Sequence, residues 1–138
     1  MRVSSRLDYA LRALIALAGR PQGSRIAAGD VADAMGLPRR FVEQQLTVLA
    51  HASLVDCRRG AGGGCALARP ADKITVGQVT RAIEGYVLDI PHATGSAVTE
   101  MWERAADSLG DSLDSVTLAD LAVRQGELDA RLAPAYCI

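Results

Sequence analysis

The stretch AGDVADAMGLPRRFVEQQLTVLAHASLVDCRRGAGGGCALARP, residues 28–70, sets two helical apolar patterns end to end and follows them with two short apolar runs on either side of a glycine cluster. That order constrains the chain more than any other feature: a short helix, a tight turn, a second helix and a hairpin make a helix-turn-helix with a wing. In the first helical segment Val31, Ala32 and Met35 share a face, and Gly36 stands where a left-handed residue would end the helix. Pro38 opens the second segment, where its missing N–H removes no hydrogen bond. Val42, Leu46 and Leu49 then keep one apolar face to about Ala52. The opposite face carries Arg39, Arg40, Glu43, Gln44 and Thr47, side chains of the kinds that grip phosphates and read base edges in a major groove. This is the candidate recognition helix for double-stranded DNA.

Leu54 and Val55 predict a first short strand, and Cys65, Ala66 and Leu67 a second, with Arg58, Arg59 and GAGGG between them. Glycines such as Gly62 and Gly63 let a hairpin tip turn tightly and lie close to another backbone. A flexible loop is the plain alternative, but the paired arginines favour a DNA-contacting wing. A nucleotide phosphate loop is disfavoured, because no Gly-Lys-Ser/Thr follows and the cluster leads into a strand. Cys57 and Cys65 face each other across this hairpin. They are small apolar fillers by default; with Arg58 and Arg59 able to lower a thiol pKa, they are also a candidate redox pair.

Upstream, Ser4 or Ser5 can cap a helix running through Leu7, Ala10, Leu11, Leu14, Ile15 and Ala18 until Gly19 and Pro21, expected to pack under the DNA-binding unit. Asp8 in its first turn suits the helix dipole. Residues 20–26 read as a loop. Downstream, Thr75 and Gln78 form a capping-box signature for a helix to about Glu84, with Val76, Val79, Ala82 and Ile83 as its buried stripe and Gly85 as its end. Residues 86–95 have no periodicity and read as a connecting loop. From Ser96 onward, Val98, Met101, Trp102, Ala105, Leu109, Leu113 and Val116 trace an apolar face along the longest helix of the second half, despite Gly110, which weakens a helix by about 1 kcal/mol relative to alanine. One helix cannot bury that face alone. Its expected partner is its symmetry mate, in a two-fold dimer whose recognition helices meet successive major grooves about 34–36 Å apart. Thr117 and Asp120 open a last short helix, TLADLAVRQ, followed by a polar arm ending Tyr136, Cys137, Ile138.

The fold class is therefore mainly α with a small β wing: a winged helix-turn-helix DNA-binding domain over residues 1–85, then a connecting loop, long dimerisation helix and C-terminal arm over residues 86–138. A chain of 138 residues buries one core with little left for a second domain. The net charge of −1 hides a sorting along the chain. Residues 1–70 hold ten arginines against five acids (+5), and residues 71–138 hold five basic residues against eleven acids (−6). A basic first half suits phosphate, and an acidic second half suits protein contacts. No apolar run approaches the roughly 18 residues of a membrane span, so no membrane partner and a cytoplasmic location are expected. Three cysteines are too few for a disulfide framework and fit a reducing compartment. His51 and His92 have neither a nucleophile pattern nor metal-ligand spacing around them, so no enzyme, catalytic residue or metal site is expected.

The segments MRVSSRLDYALRAL, LPRRFVEQQLTVLAHASLV, RRGAGGGCALARP, ITVGQVTRAIEG and WERAADSLGDSLDSVTLADL, in this order, resemble the Rrf2 family of bacterial winged-helix transcription regulators over nearly the whole chain. Its most specific parts are FVEQ, RGAGGG and TVGQV. The resemblance implies a homodimeric regulator, a repressor, on imperfect palindromes, with Glu43 and Gln44 addressing bases and Arg59 entering the minor groove. Many members hold an iron–sulfur cluster on three cysteines in the loop before the long helix. Here DIPHATGSAVTEMW offers only His92. The resemblance thus points to the cluster-free branch and to no cofactor. An acidic residue near Asp8 ligates the cluster in some relatives; dipole compensation is the reading here. Cys65 stands where relatives usually carry an aromatic residue. The cluster-free branch, similar to cysteine-metabolism repressors, partners cysteine synthase, an enzyme that accepts C-termini ending in isoleucine. Tyr136, Cys137 and Ile138 are on that ground a candidate partner-binding tail, although such an ending also arises by accident. Two alternatives stay open: a thiol-redox-sensing regulator working through Cys57 and Cys65, and an interaction module docked on an enzyme such as cysteine synthase.

Overall fold

Ser4 accepts a hydrogen bond from the Leu7 amide (3.2 Å) and so starts α1, Ser5–Ala18, whose Leu7, Ala10, Ala13, Leu14 and Leu17 are buried. The computed structural model, which describes residues 2–132, places α1 as the central beam, touching α2 (Ala28–Met35), α3 (Arg39–His51), α4 (Val76–Glu84), α6 (Leu118–Leu132) and strand β2 (Gly64–Leu67). Gly36 ends α2 in the left-handed conformation (φ 66°), and the Leu37 amide turns back to the Ala32 carbonyl at 2.9 Å. The chain re-enters at once through Pro38 into α3. Val42, Leu46 and Leu49 bury its inner face, and Phe41 meets Tyr9 of α1 edge to face with ring centroids 5.4 Å apart.

Strand β1, Val55–Arg58, pairs antiparallel with β2 in the register Val55↔Leu67 to Arg58↔Gly64. It starts one residue later than Leu54 and reaches Arg58, because the ladder continues to the glycine turn. Ile26 adds a one-residue bridge on the far edge of β2, exchanging both backbone hydrogen bonds with Cys65 at 3.0 and 2.7 Å. With its backbone groups directed to Ile26, Cys65 meets Cys57 in a pair of the non-hydrogen-bonded kind, where side chains stand closest. A disulfide joins the two, their Cα atoms 4.1 Å apart. The expectation that three cysteines are too few for a disulfide framework is corrected for this one pair, which the hairpin register makes direct neighbours and the structure joins.

After a 3₁₀ turn at Ala71–Lys73, the capping box forms as expected: Thr75 Oγ1 accepts from the Gln78 amide (3.1 Å) and Gln78 Oε1 from the Thr75 amide (3.0 Å). Helix α5, Ala97–Asp114, starts on Ser96, which accepts from the Thr99 amide. Its Gly110 has a packing reason. A Cβ there would press on Arg81 Nη2 at 3.1 Å, and one at Gly77 would overlap Asp114 Oδ1. The two glycines make room for a bidentate Arg81–Asp114 pair (2.8 and 3.0 Å) that ties α4 to α5. A second tie joins α1 to α4, where Glu84 accepts from the Ser4 hydroxyl and from Arg6 at 2.7 Å. These pairs hold the carboxyls of Glu84 and Asp114 below their ordinary range, chiefly through the hydrogen bonds from Arg6 and Arg81 respectively.

The last helix is longer than its sequence pattern suggests. A reciprocal Thr117–Asp120 cap opens α6, which continues past Gln125 and Gly126 to Leu132. Arg124–Glu127 (2.8 Å) and Gln125–Asp129 (2.9 Å), three and four residues apart, support that extension. Its first residue, Leu118, is fully buried in one core with Leu14, Leu46, Leu49, Ile74 and Val79. Among the described residues no helix is long and apolar enough to cross a membrane.

Candidate nucleic-acid interface

The outward face of α3 presents Arg39, Arg40, Glu43, Gln44 and Thr47, all exposed. Among the described residues Arg40, Glu43 and Gln44 bond through their side chains to nothing else, so their donors and acceptors are available to a ligand. Arg39 is partly engaged. Its guanidinium lies over Gly29, where a Cβ would come within 2.6 Å, and reaches Asp33 at 3.4 Å. The Thr47 hydroxyl donates to the Glu43 carbonyl at 2.9 Å. Val48 belongs to the same surface, with 38 % of its area exposed, one helical turn beyond Gln44. Sequence reasoning missed it because an apolar residue in a helix is assigned to the core by default. A methyl-bearing side chain at this place can touch a thymine methyl.

Beside α3 the wing is held from below by Arg25, which sequence reasoning also missed. Its guanidinium donates to the carbonyls of Asp56 (3.0 Å) and Gly64 (3.1 Å), one on each strand, and to Asp56 Oδ2 at 2.6 Å. The partners lie 31 and 39 residues away, so no local pattern could announce them. The Arg25 hydrogen bond, helped by the charges of Arg25 and Arg58, keeps the Asp56 carboxyl below its ordinary range. At the tip a Cβ on Gly63 would come within 2.8 Å of the Gly60 carbonyl oxygen and closer still to that of Arg58, so no larger residue fits this turn. Gly62 lies in the same turn at φ 75°. Arg58 rests 3.5 Å from Asp56, whereas Arg59 is exposed and forms no ion pair among the described residues.

Along α5, Val98, Met101, Trp102 and Ala105 are exposed, Val98 to 61 %. Leu109 and Leu113 are half-buried and line a cavity of about 800 Å³ shared with Leu7, Leu11 and Ile90. Helix α6 adds the exposed Val123 and, beyond the expected helix end, Leu132. His51 closes α3 and His92 sits in the loop, both exposed. Asp8 pairs with Arg12 at 2.9 Å along α1. The tail residues Tyr136, Cys137 and Ile138 lie outside the described residues.

The model of the Rrf2 family, described as an iron-dependent transcriptional regulator, matches residues 3–124. The chain belongs to the Rrf2 family. An HTH-type transcriptional regulator of Mycobacterium tuberculosis is 35% identical over 131 residues, covering 88% of this chain and 81% of that protein. Among solved structures, CymR, the global cysteine regulator of B. subtilis, shares 32% identity at a TM-score of 0.79, covering 90% of this chain and 98% of that one. T. potens IscR shares 34% identity at a TM-score of 0.78, covering 93% of this chain and 90% of that one. As in these Rrf2 neighbours, the fold is a winged helix-turn-helix, and the relatives are transcriptional regulators. The iron in the family description finds no fitting donor set among the described residues. Among the described residues no three His, Cys, Asp or Glu side chains converge, residues 86–95 contain no cysteine, and Cys57 and Cys65 are bonded to each other.

Proposed function

We propose that this Rrf2 regulator is a cytoplasmic homodimer that binds an imperfect palindrome in double-stranded DNA and represses transcription there, without an iron–sulfur cluster or other cofactor. The observation that carries the reading is the α3 surface, where Arg40, Glu43 and Gln44 stand exposed and unpartnered among the described residues, beside a wing that exposes Arg59. Glu43 accepts from a cytosine amino group and Gln44 pairs an adenine edge in the major groove. Arg39, Arg40, Arg58 and Thr47 grip phosphates, and Arg59 follows the wing into the minor groove. The apolar face of α5, from Val98 to Leu113, packs on its symmetry mate and sets the distance between the two recognition helices. The regulator has no catalytic role.

The test is selection of duplexes from a randomised library followed by affinity measurement at stepped salt. Six or more phosphate contacts lower affinity by about 10³-fold or more between 50 and 200 mM salt. Failure to enrich any sequence, or a flat salt response, removes the reading and leaves an interaction module.

The likeness to the B. subtilis global cysteine regulator supports a second reading of the partner, in which the tail Tyr136, Cys137 and Ile138 docks on cysteine synthase. Co-purification with that enzyme, lost when Ile138 is deleted, is the expected result; equal recovery with and without Ile138 refutes it.

A further inference from the structure

The wing carries a covalent device that base reading does not require. The hairpin register sets Cys57 opposite Cys65, and a disulfide joins them. Cys65 is buried and fixed through both backbone groups to Ile26, at the entry to α2. Cys57 is exposed, which leaves one side of the bond open to small thiols and disulfides from solvent. The bond closes residues 58–64, a segment that holds Arg58, Arg59 and four glycines. Glycine has more backbone freedom to lose on ordering than any other residue, so this tip is the part of the surface that a cross-link orders most. Arg25 grips Asp56 and Gly64 independently of the bond and keeps the base of the hairpin in place when the bond opens.

We propose that Cys57 and Cys65 form a reversible modification site, a thiol–disulfide latch through which low-molecular-weight disulfides and thiols set the affinity of the wing for DNA. The inference rests on the DNA-binding reading above and adds its regulation. In closing, the Cys57 thiolate attacks a small disulfide RSSR, forming a mixed disulfide and releasing RS⁻. The Cys65 thiolate then attacks Cys57 Sγ and releases the second RS⁻. The two protein thiols give up two electrons and two protons, and RSSR becomes two RSH; excess RSH runs the sequence backwards. Closed, the latch presents Arg58 and Arg59 already ordered. Open, binding must order the tip, and affinity falls about three- to tenfold.

The experiment uses the full chain with Cys137→Ser, poised with oxidised glutathione or with dithiothreitol. It reads affinity for a duplex selected by the protein and amide hydrogen exchange over residues 58–64. The oxidised protein is expected to bind about three- to tenfold more tightly and to exchange more slowly at the tip. Cys57→Ser, at an exposed position, is expected to stay at the reduced values under both conditions. Equal affinity and equal exchange in the two states overturn the latch, as does a redox response that survives Cys57→Ser. Exchange that responds while neither state binds any duplex overturns the DNA-binding reading and the affinity claim built on it, and supports the thiol chemistry alone.

Discussion

The two exposed faces of this chain are opposite in kind. Around α3 and the wing the exposed groups are, Val48 apart, mainly charged or polar, and clamps within the chain hold the frame that presents them: Arg25 across both strands, Gly36 at the turn, Phe41 against Tyr9. Along α5 and α6 the exposed groups include Val98, Met101, Trp102, Val123 and Leu132, which the rest of the described chain covers only in part. A polar face is at ease in water, whereas several large apolar side chains left exposed on two helices suit a contact surface. The first region is complete within one chain. The second leaves large apolar side chains open to solvent, and under the proposed function they meet a second copy of the chain. The charge sorting, +5 in residues 1–70 and −6 in residues 71–138, follows the same division.

The strongest way to break the comparison is to cut what joins the regions. Leu118 starts α6, is fully buried and shares the core with Leu14 of α1. Leu118→Ala is expected to destabilise the whole fold by about 2–5 kcal/mol, measured by denaturant unfolding, with helix and wing signals vanishing together. Next comes the apolar face. Trp102→Asp is expected to give a monomer by sedimentation velocity with unchanged helical content, and to lower operator affinity about 10²-fold through loss of bivalent binding. On the polar face Gln44→Ala is expected to leave the dimer intact and relax discrimination at one base pair per half-site by about 1–3 kcal/mol, read by competition with mismatched duplexes. Arg59→Ala is expected to weaken operator binding about tenfold by losing the minor-groove contact, most for sites with a narrow A·T-rich groove under the wing, read by the same competition.

Acid gives the smallest effect. Glu84 and Asp114 have folded-state pKa values lowered by Arg6 and Arg81, so their contribution is full above the ordinary carboxylate range, about pH 4, and is lost as pH falls through the lowered values. Thermal melts are expected to be level across this contribution above about pH 5 and to decline below about pH 4. Asp114→Asn is expected to flatten part of that decline.

What the sequence made legible follows the range of each interaction. Helix ends at Gly36, Gly85 and the Thr75–Gln78 box depend on one or two neighbouring residues, and the structure has them at those positions. The face of α3 was legible for the same reason, since a helical period of about 3.6 separates Val42, Leu46 and Leu49 from Arg40, Glu43 and Gln44. Long-range geometry was not legible. Arg25 gains its role from partners on both wing strands and Gly110 from an arginine of α4, whereas the cysteines were legible as a pair across the hairpin but not as a bonded one. The extent of α6 stayed hidden because surface pairs beyond Gln125 carry it, not an apolar stripe.

The most direct test of the central division is a hydroxyl-radical footprint of the selected duplex, taken with wild type, Trp102→Asp and Gln44→Ala. Two symmetric protected segments about one helical turn apart are expected for wild type, with Trp102→Asp protecting one half-site weakly and Gln44→Ala keeping both at lower discrimination. A single asymmetric footprint for wild type, or two segments that persist in a monomeric Trp102→Asp protein, would contradict the assignment of α3 and the wing to DNA and of α5 to the partner copy.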